Sequence, residues 1–364
     1  MAMKKPGFKK PRKRKKYKPL LAGTIRIKAR GLDTVIRTAS TWKKIDREFT
    51  ETMEVVKLFM FHSSYDFLID KKDPTFLKGQ LSPEGKCQGA RINILPDGRK
   101  LDKAYSLFAE QLTVHDEESN DHWDVLYRNP GGTYSYVYTL EKKAEFTKKK
   151  YKSVEEFGKY YSKLEQNVLA ALSDKEDAIA VPMYTLLKTH MRIGNEIYYK
   201  AHGHKGLTTL KKSDIKIDGK EVTFKYKAKD GVPRNITREF PGIYIERLYS
   251  MLQPLESSSF VFTSHTGHPL DDKHFKKAFK KYCGKEFYPH IVRSYYATKE
   301  AKQFLSTHTT ATKKEIRELF TSIAADLGHK RFDKKEQTWK EGYNVTIHHY
   351  IQPEILARVQ SLAK

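Results

Sequence analysis

The sequence predicts an α+β protein in which a β-rich N-terminal domain precedes a mainly α-helical domain that carries a small β-hairpin sheet. Apolar and polar residues alternate over 24–29 and 35–39, which is the pattern of half-buried strands. An N-P-G-G turn at 129–132 separates two aromatic, β-prone runs and indicates a hairpin. From residue 153 onward, apolar residues recur at helical spacing.

The charge of the chain indicates a polyanionic partner. Its 364 residues include 69 Lys and Arg against 44 Asp and Glu, which gives a formal net charge of +25. A positive field of this size attracts nucleic acid, although a basic surface without any partner has the same composition. The length is sufficient for two or three domains.

Cysteine use and hydropathy exclude several classes of protein. Cys87 and Cys283 lie far apart with no C-x-x-C motif, so neither a disulfide framework nor a cysteine-rich zinc site is indicated, and a reducing, intracellular setting fits. No apolar run approaches the roughly eighteen residues that a membrane helix needs, and the N-terminus lacks the apolar segment of a signal peptide. We therefore expect a soluble protein without a membrane partner.

Composition divides the chain into four segments. The first twenty residues hold ten Lys or Arg and no acid, so repulsion should leave them disordered. The lysine-rich stretch that follows the N-P-G-G hairpin has the composition of a hinge. The expected organisation is a disordered basic tail at 1–20, a β-rich N-terminal domain at 21–141, a basic hinge at 142–152 and a helical domain at 153–364.

Local patterns predict individual elements within these domains. Three tyrosines alternate in the hairpin and are expected to pack in its sheet rather than stack on exposed bases; they are Tyr134, Tyr136 and Tyr138. Ser153 and Glu156 form a capping box, which predicts a helix start. Gly328 should end a helix and leave His329 at its C-terminus. Further helices are predicted over 241–252, 271–282, 289–305, 312–327 and 351–364.

The stretch from residue 190 to residue 230 has the features of a phosphate site. Arg192 ends an apolar run and is followed by Gly194-Asn195, which interrupts a helix and would fix the guanidinium at a cavity wall. A fixed arginine can bind two oxygens of one phosphate. Alternating apolar residues between 215 and 226 then predict a β-hairpin that leaves Lys229 near the next turn.

Six motifs in this order resemble the core of the type IB DNA topoisomerases, which are relatives of the tyrosine recombinases. They are R-I-G-N-E-x-Y, G-L-T-T-L, K-x-K-D, H-I-V-R-S-Y-Y, A-A-D-L-G-H and H-H-Y-I-Q-P-E-I, and the resemblance covers roughly 155–364. It implies a monomer that closes as a clamp around double-stranded DNA, with the N-terminal domain opposite the catalytic domain. It further implies relaxation of positive and negative supercoils without ATP, metal or other cofactor, inside a nucleus, nucleoid or virion.

The resemblance also assigns roles to residues. Tyr350 corresponds to the nucleophile that forms a 3′-phosphotyrosyl link, and Arg192, Arg293 and His329 correspond to donors for the non-bridging phosphate oxygens. Lys229 corresponds to the general acid for the leaving 5′ oxygen. Three further lysines are candidates for phosphate contacts, namely Lys205, Lys211 and Lys212.

The sequence departs from the family in the separation of His329 and Tyr350. They lie twenty-one residues apart, whereas viral and bacterial members separate them by about nine. The extra charged segment at 330–344 resembles a short form of the linker of the eukaryotic enzymes, and it contains a rival nucleophile, Tyr343. We favour Tyr350 because Y-I-Q-P matches the family's tyrosine followed by an apolar residue, any residue and proline.

His290 is a second departure. It forms H-x-x-R with Arg293, a spacing typical of tyrosine recombinases, where topoisomerases usually have lysine. His290 therefore either binds the phosphate or lies in the core. A site-specific recombinase or integrase with the same chemistry remains the alternative function, and it would act as a tetramer at a defined site. A DNA-binding protein without catalysis is disfavoured because the set of five catalytic residues is complete.

The net charge predicts a steep salt dependence. A protein that holds DNA through many Lys and Arg contacts releases counterions on binding, so plasmid relaxation should change from processive to distributive and then fade as salt rises from about 50 to about 300 mM. Time courses of plasmid relaxation across this range test the prediction. Activity that stays flat would contradict it.

Overall fold

The computed structural model of the chain describes residues 20–62, 64–89, 91–115 and 123–364. The chain divides into two compact units, Met1–Thr147 and Lys148–Lys364. The basic tail predicted at 1–20 lies outside the described residues, except for Leu20. Within the described ranges, none of the helices combines the length and the apolar character needed to cross a membrane.

The described part of the first unit contains short antiparallel strands and an α-helix. The elements are β1 (Ile25–Ile27), β2 (Thr34–Arg37), β3 (Trp42–Lys44), α1 (Thr50–His62), β4 (Gln80–Leu81), β5 (Cys87–Gln88), β6 (Ile92–Ile94), β7 (Lys100–Tyr105), β8 (Glu110–Val114), β9 (Val125–Arg128) and β10 (Tyr134–Val137). The sheets have the strand orders β3-β2-β1-β4-β5, β10-β9-β8 and β6-β7. The predicted alternating segments form β1 and β2, and the N-P-G-G turn joins β9 to β10, so both predictions are confirmed.

The tyrosines of β10 do not pack as predicted. Tyr134 and Tyr136 are 46% and 45% exposed, whereas Val137 on the opposite face is fully buried. The alternation in the sequence correctly predicted that these tyrosines share one face of the strand. The core of this unit takes the other face, where Val137 meets the aliphatic residues of neighbouring strands.

The second unit is mainly helical and contains one three-stranded sheet and one separate hairpin. The elements are α2 (Leu140–Ala171), α3 (Ala180–Thr189), α4 (Glu196–His202), β11 (Ile215–Asp218), β12 (Glu221–Lys227), β13 (Pro233–Glu239), α5 (Gly242–Leu252), α6 (Asp272–Cys283), α7 (Ile291–Thr307), α8 (Lys313–Leu327), β14 (Lys330–Asp333), β15 (Thr338–Glu341), α9 (Asn344–His349) and α10 (Pro353–Ser361). The five helices predicted after residue 240 are confirmed as α5, α6, α7, α8 and α10. Helix α2 begins before the division between the units and continues through it.

The start of α2 differs from the prediction. Ser153 and Glu156 lie inside the helix, and the segment at 142–152 that was expected to be a hinge is helical. This segment contains no glycine or proline, and six of its eleven residues are lysine, which has a good helix propensity. The hydroxyl of Thr139 accepts a hydrogen bond from the backbone N–H of Lys142 at 3.3 Å, so the helix is capped there instead.

The ends of α8 follow the sequence rules for helix capping. The Thr312 hydroxyl accepts from the backbone N–H of Glu315 at 3.2 Å, and the Glu315 carboxylate accepts from the backbone N–H of Thr312 at 2.7 Å. Gly328 ends the helix with a φ of 73°, a conformation that favours glycine. His329 therefore leaves the helix at a fixed point.

Two hydrophobic cores hold the second unit together. The larger one joins α2, α3, the sheet β11-β12-β13, α5 and α6. The smaller one is formed by the last four helices, and it includes Tyr350 and its neighbour Ile351. A tyrosine with a proposed chemical role is thus also a packed core residue.

Two of the six motifs contact each other through glycines. The backbone N–H groups of Leu207 and Thr208 donate to the carbonyl oxygens of Arg192 and Ile193 at 2.8 and 2.7 Å. A Cβ atom added to Gly206 would lie 2.5 Å from the backbone nitrogen of Gly194 and 2.6 Å from the Arg192 oxygen. R-I-G-N and G-L-T-T-L therefore form one structural unit that fixes the backbone of Arg192.

We predict that Gly206→Ala destabilises the protein by about 1–3 kcal/mol, because the added methyl group forces backbone atoms apart. The matched control is Gly242→Ala at the exposed start of α5, where a Cβ meets nothing within 4 Å. Its effect should be within about 1 kcal/mol. Chemical unfolding of both variants gives the comparison, and equal midpoints would contradict the close-approach argument.

Candidate active site

Four of the five predicted catalytic residues meet in the second unit. The Tyr350 hydroxyl accepts a hydrogen bond from Nη2 of Arg192 at 2.9 Å, although 158 residues separate the two in sequence. The guanidinium carbon of Arg293 lies 5.2 Å from the centre of the Tyr350 ring, and the ring centres of His329 and Tyr350 are 4.7 Å apart. The structure therefore gathers Arg192, Arg293 and His329 around one phenol.

Arg192 owes its position to the interruption that the sequence predicted. Helix α3 ends at Thr189, and His190 caps it in a left-handed conformation with a φ of 52°. Asn195 then begins α4, because its side chain accepts from the backbone N–H of Tyr198 at 3.1 Å. The short extended segment between the two helices presents Arg192 toward Tyr350.

Arg293 is buried inside the second unit and is 2% exposed. It donates to the carbonyl oxygen of His190, to that of Leu327 at 2.8 Å and to Nε2 of His329 at 3.1 Å. Burial lowers the pKa of Arg293 to about 10, so the group still carries its charge at neutral pH. Its Nε is buried without a partner among the described residues, which leaves a donor for an incoming oxygen atom.

His329 is held in a neutral state between Arg293 and Thr346. Burial, with the nearby charges of Arg293 and Arg192, lowers the pKa of His329 to about 2. Because arginine only donates, Nε2 of His329 accepts, and Nδ1–H donates to the Thr346 hydroxyl at 2.8 Å. The Thr346 hydroxyl can also donate, so it supports the other tautomer, in which Nε2–H is the donor.

Tyr350 lies at the end of α9 and is 3% exposed. Its backbone N–H donates to the carbonyl oxygen of Thr346 at 2.9 Å, and the N–H of Ile351 donates to the same oxygen at 3.3 Å before the chain turns toward Pro353. The rival Tyr343 lies at the start of α9 and packs against Phe320 at a ring distance of 6.0 Å. The geometry around Arg192 and Arg293 therefore centres on Tyr350.

Lys229 lies in the turn between β12 and β13, as the hairpin pattern predicted. Asp230 and Gly231 have φ values of 62° and 80°, which make the turn tight, and the Lys229 side chain is exposed. A cleft of about 120 Å³ opens beneath it and is lined by Lys229, Arg192, Arg293 and His329. Lys229 thus stands at the mouth of the site that contains the other residues.

His290 contributes a second neutral ring to the site. It precedes α7, and its ring centre lies 5.3 Å from that of Tyr350. Burial and the charges of Arg293 and Arg192 lower its pKa to about 3. It also lines a surface cavity of about 290 Å³ together with Arg192.

The three predicted DNA-binding lysines all have partners within the second unit. Lys205 forms an ion pair with Asp214 at 2.7 Å, and the Lys212 ammonium donates to the carbonyl oxygen of Leu255 at 2.8 Å. The ammonium of Lys211 lies over the rings of Tyr199 and Phe260. These contacts give each lysine a role in the free protein, and their binding to phosphate stays a prediction.

Sequence reasoning missed two residues that shape the site. Thr346 orients His329, and its only sequence signal is its position four residues before Tyr350, one helical turn away. Arg234 on β13 donates to the carbonyl oxygens of Ala325 and Asp326, both at 2.7 Å, and so holds the end of α8 just before His329. Nothing local in the sequence distinguishes Arg234 from other strand arginines.

A larger groove of about 860 Å³ adjoins the site on its other side. It lies between β12, β13 and the β14–β15 hairpin, and it is lined by basic and aromatic residues that include Lys225, Lys227, Lys330, Trp339 and His329. A groove of this composition suits a polyanion with planar rings. Together with the cleft, it defines the class of site: a cationic pocket, with a charge suited to a phosphate group, close to the Tyr350 phenol.

The family model described as "Eukaryotic DNA topoisomerase I, catalytic core" matches residues 139–350. The chain belongs to this family. The match includes all five predicted catalytic residues, and it begins where α2 begins, earlier than the resemblance in the sequence indicated.

DNA topoisomerase 1B of Acanthamoeba polyphaga mimivirus is 26% identical over 201 residues, which are 50% of this chain and 59% of that protein. The chain therefore spans less than two thirds of the length of this relative. Among solved structures, XerH site-specific recombinase bound to difH substrate in a pre-cleavage complex overlaps with a TM-score of 0.32 and 18% identity, covering 48% of this chain and 50% of that chain. The post-cleavage complex with palindromic difH overlaps with a TM-score of 0.31 and 17% identity, covering 46% and 44%. Overlap at this level carries no argument about function.

Proposed function

We propose that this protein relaxes positive and negative supercoils in double-stranded DNA by cutting one strand transiently, without ATP or metal. The observation that carries the proposal is the contact between the Tyr350 hydroxyl and Arg192 inside a pocket that also holds Arg293 and His329. Family membership supports it, because the family is that of a topoisomerase catalytic core. The same match favours a topoisomerase over a site-specific recombinase.

In the first step, the Tyr350 oxygen attacks the scissile phosphorus and forms a phosphotyrosyl ester with the 3′ end. The bond from phosphorus to the 5′ oxygen of the next nucleotide breaks. Negative charge grows on the two non-bridging oxygens, where fixed donors are worth about 3–4 kcal/mol each. Arg192 and Arg293 supply charged donors, and His329 supplies Nε2–H in its other tautomer.

Lys229 gives a proton to the departing 5′ oxygen, so that an alcohol leaves rather than an alkoxide. The phenolic proton of Tyr350 passes to solvent or a neighbouring base. The free 5′ end then turns about the intact strand and releases superhelical strain. Reversal of the first step restores the phosphodiester bond and the phenol, and the bond energy is conserved in the protein–DNA ester.

We further propose that DNA lies along the cleft and the basic groove beside His329. The net charge of +25 provides the attraction, and Lys225, Lys227 and Lys330 line the groove. Action as a monomer that closes around the duplex, and location with DNA inside a cell or virion, belong to the same proposal. His290 is positioned to contact the phosphate that Arg192 binds.

We predict that Tyr350→Phe abolishes both relaxation and the covalent DNA adduct, because only the phenolic oxygen can form the ester. Tyr343→Phe should retain both activities within about threefold, since Tyr343 packs against Phe320. The measurement is relaxation of positively and negatively supercoiled plasmid in EDTA without ATP. If Tyr343→Phe lost the adduct and Tyr350→Phe kept it, Tyr343 would be the nucleophile. If a folded wild type bound DNA but did not relax it, the proposed function would be wrong.

The role of Lys229 is tested with a substrate whose bridging 5′ oxygen is replaced by sulfur. A thiolate leaves without a proton. We therefore expect the Lys229→Ala variant to cleave ordinary DNA about 10²–10⁴-fold more slowly than wild type, but to cleave the sulfur substrate almost as fast as wild type. Arg293→Ala serves as the control, because its defect concerns the non-bridging oxygens and should persist with sulfur. Equal defects of Lys229→Ala on both substrates would show that it is not the acid.

A further inference from the structure

The backbone on either side of Tyr350 lies where helical hydrogen bonding stops. Helix α9 ends at His349, and α10 begins at Pro353, which has no backbone N–H to donate. The carbonyl oxygens of residues 349–351 therefore need partners from other elements. The identity of those partners determines how firmly the phenol is held.

Side chains from two other helices bind all three carbonyl oxygens. The Lys150 ammonium donates to the oxygen of His349, and the Tyr151 hydroxyl donates to that of Ile351 at 2.8 Å. The Thr298 hydroxyl of α7 donates to the oxygen of Tyr350 itself at 3.3 Å. Adjacent residues of α2 thus bind the carbonyl on each side of Tyr350.

Lys150 differs from the other two because it also contacts the phenol ring. Its ammonium nitrogen lies 5.5 Å from the centre of the Tyr350 ring, within the range of a cation–π contact. The site is a costly one for a charge, since burial lowers the pKa of Lys150 to about 8. The fold thus holds the Lys150 ammonium close to the Tyr350 phenol although burial disfavours its charge.

We propose that Lys150 is a positioning residue for Tyr350, and that by holding the His349 carbonyl and lying over the phenol ring it keeps the hydroxyl directed at Arg192. This inference rests on the proposed function, because positioning has a measurable effect only if Tyr350 attacks phosphate. A nucleophile displaced by about 1 Å loses about 10²-fold in rate, so a contact that fixes the ring acts on the chemical step. It should have little effect on DNA binding.

The test is single-turnover formation of the covalent adduct on a DNA duplex whose cleaved strand is short enough to dissociate. Lys150→Met should slow adduct formation by about 10- to 100-fold. Lys159→Met is the matched control, because it removes the same charge from an exposed position of the same helix. Lys150→Arg should recover most of the rate, since a guanidinium also donates and carries a charge.

DNA affinity and melting temperature are measured for every variant. The expected result is equal affinity for Lys150→Met and Lys159→Met together with a slow rate for Lys150→Met alone. Equal rates for these two variants, or a loss in Lys150→Met that follows DNA affinity or melting temperature, would overturn the inference. If Lys150→Met does not fold, Lys150→Gln replaces it and must show the same slow rate.

The two proposals fail in different ways. If the wild type forms no adduct with DNA that it binds, the proposed function is wrong. If the wild type forms the adduct and Lys150→Met forms it at the rate of Lys159→Met, only the role of Lys150 is wrong.

Discussion

The site depends on the burial of Arg293 between the C-terminal ends of two helices. A buried guanidinium is costly unless its donors are satisfied, and here its acceptors are carbonyl oxygens and an imidazole nitrogen. His190 caps α3 and Leu327 ends α8, so both carbonyls carry the partial negative charge of a helix C-terminus. One arginine therefore joins the segment before Arg192, the helix before His329 and the ring of Tyr350. Arg234 strengthens the arrangement by binding the two carbonyls of α8 that precede Leu327.

The sequence was sufficient for local features and for the residues that carry motifs. Turn and capping rules located the hairpin that presents Lys229 and the glycine that ends α8 before His329. Motif order singled out Arg192 and Tyr350, which the structure brings into contact. Features that depend on long-range packing were not accessible. Nothing in the alternation of Tyr134 and Tyr136 indicates which face of the sheet meets the core, and the composition of 142–152 suits a solvated hinge as well as a helix. The same holds for three residues that were not predicted, because each of them contacts a segment that is remote in sequence or lies beyond the insertion at 330–344; they are Thr346, Arg234 and Lys150.

The electrostatic state of the pocket suits an anion rather than a cation. Both histidines near Tyr350 are kept neutral, since burial and the adjacent arginines lower the pKa values of His329 and His290 to about 2 and about 3. At neutral pH the positive charge near Tyr350 therefore comes from arginine and lysine alone, and the histidines add none. A phosphate in the cleft would offset the repulsion among these cations, and it would favour protonation of the histidines that the free pocket opposes. In the proposed reaction, the attraction between these cations and DNA would act where negative charge develops.

The long separation between His329 and Tyr350 is explained by the path of the chain. Strands β14 and β15 pair antiparallel, with Lys330 opposite Glu341, so the chain returns to the place it left. The hairpin at 330–341 accounts for twelve of the twenty-one positions from His329 to Tyr350, and without it the spacing would be nine positions, close to that expected for the viral and bacterial members. The bond of 2.8 Å between His329 and Thr346 spans the base of the insertion and ties α9 to the end of α8. A hairpin added at this point therefore extends the groove beside the site without moving the histidine away from the phenol.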